Sequence, residues 1–145
     1  MKILLDTSVL LAAMIESHPV HPKAVPWLEK IRNRKYDGFI AGHSIAELYS
    51  ALTTLPMRPP ISPSAARQLI QCNILDIFEV VCLSSQHYAV VIEHLSDLDS
   101  VESVMIYDAL TLLAALQVNI DRVVTLNQKA LLRIYPDLAD KIVSP

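Results

Sequence analysis

The 145-residue sequence predicts an α/β fold built on a mainly parallel sheet. Short apolar runs without polar alternation recur around residues 4, 40, 81 and 123, the mark of strands buried on both faces. Longer stretches of helical character lie between these runs, so strand and helix alternate along the chain. Hydrophobic residues make up 52% and charged residues 19%, which supplies enough apolar surface for a sizeable core and too little charge for disorder.

Ile3-Leu4-Leu5 is the first strand. Asp6-Thr7-Ser8 then offers helix-capping residues ahead of the apolar run Val9 to Ile15, so the chain turns from strand into helix there. Ser17 to Pro26, rich in proline and histidine, reads as a loop with His18 and His21 on the surface. Trp27 to Lys35 follows as an amphipathic helix. Its Lys30, Arg32, Arg34 and Lys35 suit either a solvated face or contacts to phosphate. Asp37-Gly38 punctuates, Phe39-Ile40-Ala41 is strand two, and Gly42-His43 opens a helix running to about Thr54. Pro56, Pro59, Pro60 and Pro63 mark an internal loop, since the flanking segments are too short to fold alone.

Ser64 to Cys72 reads as helix, and Ile74 to Phe78 lead into strand three, Glu79 to Leu83. Ser84-Ser85 caps a helix reaching about Leu95, and Asp97 to Glu102 is an acidic loop. Val104 to Gln117 is a strongly apolar helix, Arg122 to Thr125 is strand four, and a helix starts near Asn127. Lys141-Ile142-Val143 is a last short strand. Residues 1–145 therefore read as a single domain without internal repeats.

Composition excludes several functions. Only two glycines occur, Gly38 and Gly42, so no glycine-rich phosphate loop, dinucleotide fingerprint or nucleophile elbow can be written. Lys plus Arg is 12 and Asp plus Glu is 15, a net charge of −3, which argues against nucleic-acid binding by basic charge alone. Cys72 and Cys82 sit in apolar surroundings without a C-x-x-C and read as reduced core thiols, which favours the cytoplasm. The longest wholly apolar run, Val9 to Ile15, is far too short to span a membrane.

Ligands of parallel sheets gather outside the carboxyl ends of the strands. Asp6 directly follows strand one, Glu47 lies in the first turns after strand two, and Asn127 lies two residues past Thr125 of strand four. Asp108 comes from within the apolar helix, where a lone carboxylate costs roughly several kcal/mol unless a cation or donors compensate it. Thr111 shares its face, and Arg122 is a candidate partner if the role is purely structural. Asp6 reads equally as a helix cap and as a functional acid, since Thr7 or Ser8 could cap instead. Glu47 lies on a polar stripe with His43, Ser50 and Thr54, opposite Ile45, Leu48, Leu52 and Leu55. That is an ordinary solvated face, or a His43–Glu47 ligand pair. Oxygen donors without a Cys or His cluster favour Mg²⁺ or Mn²⁺ over zinc.

Four segments resemble the motifs of PIN-domain ribonucleases, in family order and from end to end of the chain. They are Leu4-Leu5-Asp6-Thr7-Ser8-Val9-Leu10, Ala41 to Tyr49 around Glu47, Ile106-Tyr107-Asp108-Ala109-Leu110, and Val124-Thr125-Leu126-Asn127. The likeness is strongest to the small prokaryotic members that include VapC-type toxins. It implies a three-layer α/β/α PIN-like domain, an acidic pocket holding Mg²⁺ or Mn²⁺ on Asp6, Glu47 and Asp108, and hydrolysis of RNA. The chain departs at the fourth motif, where many members carry an Asp at or just after Asn127. An Asn carbonyl can coordinate or orient a water but adds no charge. A second ion is thus left undecided, with Asp99 and Glu102 the residues that could compensate.

A metal-activated water would attack the phosphodiester in line, while Thr7, Ser8, Thr125 and His43 position water or substrate. The resemblance also implies a separate antitoxin chain and a homodimer. The alternatives are a PIN-like domain that binds RNA or protein without cutting, and a phosphatase-like domain using Asp6 as phosphoryl acceptor. The latter normally wants an Asp where Ser8 stands.

Overall fold

The computed structural model describes residues 1–98 and 105–145. Its elements are β1 (Lys2–Leu5), α1 (Thr7–Met14), α2 (His21–Arg32), β2 (Asp37–Ala41), α3 (Gly42–Thr54) and α4 (Pro63–Ile70), the last running into a π-helical turn at Gln71–Leu75. Then come β3 (Glu79–Val81), α5 (Ser85–Ser96), α6 (Met105–Gln117), β4 (Arg122–Val124), α7 (Gln128–Ile134), a 3₁₀ turn at Pro136–Leu138, and β5 (Ile142–Val143).

All strand pairs are parallel, in the order β3-β2-β1-β4-β5. Ile3 pairs with Gly38 on one side and Arg122 on the other. The winding reverses between β1 and β4, the switch point where parallel sheets leave a crevice at their carboxyl ends. The absence of alternation in β1 has its reason in the two covered faces. Ile3 and Leu5, with Ile40 and Val124, pack into the core beneath α1 to α4. Leu4, with Phe39, Ala41, Val123 and Ile142, packs into the core formed with α5, α6 and α7. The result is the three-layer α/β/α arrangement the motifs imply.

Gly38 is demanded by close approach. A Cβ there would lie 2.2 Å from Ile31 Cγ2 of α2 and 3.0 Å from Phe78 Cδ1. Gly42 is not, since its nearest neighbour would be the Val81 carbonyl oxygen at 3.5 Å.

Several expectations are corrected. The helix expected from Trp27 begins at His21 and ends at Arg32. Pro22 falls in the first turn, where its missing N–H costs nothing, and Pro26 is tolerated within a helix that buries Ala24, Leu28 and Ile31. His18 and His21 are half-buried rather than surface residues. Nδ1 of His21 lies 2.9 Å from the Ala12 carbonyl, and Nδ1 of His18 accepts from the Val20 N–H. Cys72 and Cys82 are free thiols, yet both are exposed. One sits on the π-helical turn and the other just beyond β3, an edge strand. Asp99, Glu102 and Val104 lie outside the described residues, and with them most of the expected acidic loop.

Lys30 and Arg32 end α2, and Arg34 and Lys35 lie between it and β2. This basic group therefore sits at the amino edge of the sheet, opposite the carboxyl ends. Among the described residues, no helix is long and apolar enough to cross a membrane.

Candidate active site

The site is assembled at the switch point. Asp6 follows β1 and caps α1, accepting the Thr7 N–H on Oδ1 at 2.8 Å. Its other oxygen accepts the Ser8 hydroxyl at 2.6 Å and the Thr125 hydroxyl at 2.9 Å. The cap reading of Asp6 holds through one oxygen, which leaves the other to face β4. A carboxylate has about four lone-pair sites, so three donors leave one free. Ser8 Oγ also accepts the Leu126 N–H, and Thr125 Oγ1 accepts the Asn127 N–H. These bonds lock the ends of β1 and β4 into one unit. Thr125 is fully buried and Asp6 is 8% exposed.

Glu47 is half-buried on α3, not on a plainly solvated face. Thr7 donates to its Oε1 at 3.2 Å, and Nε2 of His43 lies 3.5 Å from the same oxygen. The His43 ring reaches across the sheet edge to the Thr111 hydroxyl of α6 at 3.2 Å. It thereby joins a helix of one outer layer to a helix of the other. Thr111 was legible as a polar residue on the Asp108 face. Its partner was not, because the two are 68 residues apart.

Asp108 lies in the first turn of α6 and is half-buried, rather than deep inside a helix that is apolar all round. The apolar run encloses the residues after it: Ala109, Leu110, Thr111 and Leu112 are at most 2% exposed. Arg122 is not its partner; that guanidinium donates to the Asp140 carbonyl at the far edge. Asp108 Oδ2 instead accepts from Nδ2 of Asn127 at 3.1 Å. Asn127, the N-cap residue of α7, therefore turns its amide nitrogen to the acid.

Charge on these groups is costly. Burial, then the charges of Asp6 and Glu47, push the Asp108 carboxyl up to about 6, against a smaller opposing effect of the Asn127 hydrogen bond. Burial raises Glu47 too, with Asp6 adding to the rise and the Thr7 hydroxyl opposing it. Burial lowers His43, although Asp6 and a hydrogen bond to the Tyr107 backbone favour its protonated form.

As a donor set, three carboxylates with hydroxyls and an amide suit a hard divalent cation. Their mutual repulsion is the electrostatic deficit such an ion relieves. As arranged, no three His, Cys, Asp or Glu side chains among the described residues converge closely enough to enclose one ion. The fit is therefore one of chemistry and placement, and closure would require side-chain rotation.

A cleft of about 820 Å³ runs between α3 and α4, lined by Ile45, Ala46 and Tyr49 on one side and Pro63, Arg67 and Ile70 on the other; none of the three acids lines it.

Comparison with known proteins agrees with this architecture. The PIN domain family model matches residues 3–135. Ribonuclease VapC27 of Mycobacterium tuberculosis is 27% identical over 110 residues, 76% of this chain and 74% of the relative. The crystal structure of VapC20 from the same organism, described as a sarcin-ricin loop cleaving toxin, superposes with a TM-score of 0.65 at 17% identity, covering 83% of this chain and 86% of that one. VapBC2 from Rickettsia felis, bound to a DNA fragment from its promoter, gives 0.69 at 18% identity over 99% and 98% of the two chains. These two structures share the fold.

Proposed function

The chain belongs to the PIN domain family, and from that premise we propose that it is a metal-dependent endoribonuclease of the VapC type, the toxin of a toxin–antitoxin pair. The observation that carries this reading is the placement of Asp6, Glu47 and Asp108 around the β1/β4 switch point, near enough that the first and second help raise the Asp108 carboxyl to about 6.

Asp6, Glu47 and Asp108 would hold Mg²⁺ or Mn²⁺, and Asn127 would contribute by orienting Asp108. When bound, the ion supplies a water of lowered pKa and neutralises charge developing at the phosphate. Asp6 is held rigid by its three donors, so its free lone pair is fixed in direction before any substrate arrives. Thr7 ties Glu47 to the start of α1, and the positive end of that helix favours a phosphate beside the acids. His43, held below its ordinary pKa by burial, is neutral at physiological pH and positions Glu47 without adding charge. Ser8 and Thr125 spend their hydroxyl protons on Asp6, so their part is to orient that carboxylate rather than to contact substrate.

RNA is the substrate in this reading. The partner is a separate antitoxin chain, for which the apolar α3–α4 cleft offers the docking surface. The protein is cytoplasmic, works as a homodimer, and comprises one PIN-like domain. Purified protein should cut RNA in Mn²⁺ and stop in EDTA. Cleavage that persists in EDTA would remove the proposal.

A domain that binds RNA or protein without cutting is the second reading. It is favoured by Asn127 in place of an acid and by the open arrangement of the carboxylates. Calorimetric titration separates the two, since a chain that takes up no Mn²⁺ at millimolar concentration is not a metal nuclease.

A further inference from the structure

Tyr107 immediately precedes Asp108 in the first turn of α6, and its environment is unlike that of the residues after it. It is 48% exposed, whereas Ala109 to Leu112 are almost wholly enclosed. Its ring is supported on one side, where the His43 imidazole lies with centroids 6.0 Å apart and planes 32° apart. His43 is itself held by Thr111. A large aromatic ring is thus braced at the rim of an acidic site and left substantially open to solvent. A cationic residue there would offset the acids. A neutral flat ring adds no charge and presents a π-face.

We propose that Tyr107, braced by His43, is the stacking platform for an unpaired nucleobase flanking the phosphodiester that lies at Asp6, Glu47 and Asp108. This rests on the nuclease reading and adds a subsite to it. The His43 ring beside Tyr107 also lies 3.5 Å from Glu47, so a nucleotide whose phosphate sits at the carboxylates carries its base within reach of the Tyr107 ring. Stacking tolerates any base, because every base has a π-face, and it requires that the base be unpaired. The subsite would therefore select single-stranded or looped RNA over duplex without specifying sequence. It also addresses how an acidic protein holds RNA when Lys30, Arg32, Arg34 and Lys35 lie at the opposite edge of the sheet.

The test uses the full chain, a short fluorescent single-stranded oligoribonucleotide, and a set of the same strand with one abasic site placed at each position in turn. Tyr107→Ala should raise KM about 5- to 150-fold, the range for loss of one base–aromatic stack. Calorimetric Mn²⁺ affinity should stay within about twofold, because stacking adds nothing to metal ligation. Tyr107→Phe should restore the affinity that the alanine variant loses. At one position, an abasic site should weaken the wild type to the level of Tyr107→Ala and weaken the variant no further.

An unchanged KM in Tyr107→Ala, a phenylalanine variant as weak as alanine, or additive losses at every abasic position would each overturn the proposal. So would RNA kinetics that stay intact while Tyr107→Ala weakens only self-association or partner binding. Anisotropy with the same strands and variants separates the two levels. A wild type that binds RNA through Tyr107 but cuts none in Mn²⁺ defeats the nuclease reading and leaves the stacking subsite standing.

Discussion

At the carboxyl edge of the sheet, Asp6 caps α1, Asp108 lies in the first turn of α6 and Glu47 in the second turn of α3. At the amino edge, Lys2, Arg122 and Lys141 sit near the end of α6 and the turns that enter β4 and β5. Helix starts carry partial positive charge and helix ends partial negative charge, so each edge bears side chains opposite in sign to its helix termini. The two differ in whether those charges crowd one another. Lys2 Nζ donates to the Val118 carbonyl at 3.0 Å, Lys141 Nζ to Ile120 at 3.1 Å, and Arg122 to Asp140. The Lys2 backbone N–H is met by Asp121 at 2.7 Å. At the carboxyl edge Glu47 and Asp108 each accept a side-chain hydrogen bond, yet burial and the neighbouring acids drive both toward protonation. One edge is arranged for stability and the other gives up stability to concentrate charge.

Substitutions at the two edges should therefore separate activity from stability. The largest effect expected is for Asp6→Asn, which should lower RNA cleavage at least about a hundredfold, as when one preorganised electrostatic group is removed from a site. Lys2→Met should leave the cleavage rate within about twofold, as for a surface position remote from the chemistry. Equal losses from the two would erase the distinction between the edges.

Gly38→Ala comes next. It should destabilise the fold by about 1–3 kcal/mol in urea denaturation, because its Cβ collides with Ile31 and Phe78. The cleavage rate of the folded fraction should not change. Gly42→Ala, with room for its Cβ, should shift stability by less than about 0.5 kcal/mol.

A smaller effect is expected at Asp108. Its folded pKa of about 6 exceeds the ordinary 3.8, so the folded state holds the proton more tightly than the unfolded. Stability is therefore greatest below about pH 4, falls as pH rises through 6, and stays reduced above that. Glu47 adds to this effect and His43, lowered by burial, opposes it, so the melting temperature of the metal-free protein at pH 5 relative to pH 7.5 should be higher for the native chain than for Asp108→Asn. The same variant should gain about 1 kcal/mol at pH 7.5, after discounting for solvent on its open side, while losing cleavage. Mn²⁺ should raise the melting temperature more at pH 7.5 than at pH 5, where protons compete for the carboxylates.

The smallest effect is expected at Arg34, which adopts φ 55° as the chain leaves α2. Arg34→Gly should stabilise the chain by about 0.5–1 kcal/mol, since glycine takes that conformation without strain.

Much of this architecture is legible in the sequence because burial on both faces writes itself as unalternated apolar runs. Ile3-Leu4-Leu5 and Phe39-Ile40-Ala41 therefore locate β1 and β2 closely. The start of α2 is not legible, since Pro26 opposes a helix interior that packing sustains, while Pro22, harmless in the first turn, reads equally as part of a loop. The π-helical turn after α4 has no periodicity of its own. The exposure of Cys72 and Cys82 depends on how a turn and an edge strand face solvent, which neighbours in sequence do not reveal. At the site, Asp6, Asp108 and the fourth-motif Asn127 stand out through position and residue type. Glu47 is disguised by an amphipathic stripe, and the links that make it part of a site come from Thr7, 40 positions away, and His43.

The bond between Asp6 and Thr125 spans 119 positions. The acid is therefore synthesised 119 residues before the hydroxyl that fixes it. β1 must likewise wait for β4 before its second neighbour exists. Pairings of such high sequence separation form late, after the intervening helices have brought the ends together. A ribosome making this segment therefore carries Asp6 without its Thr125 partner until β4 has emerged.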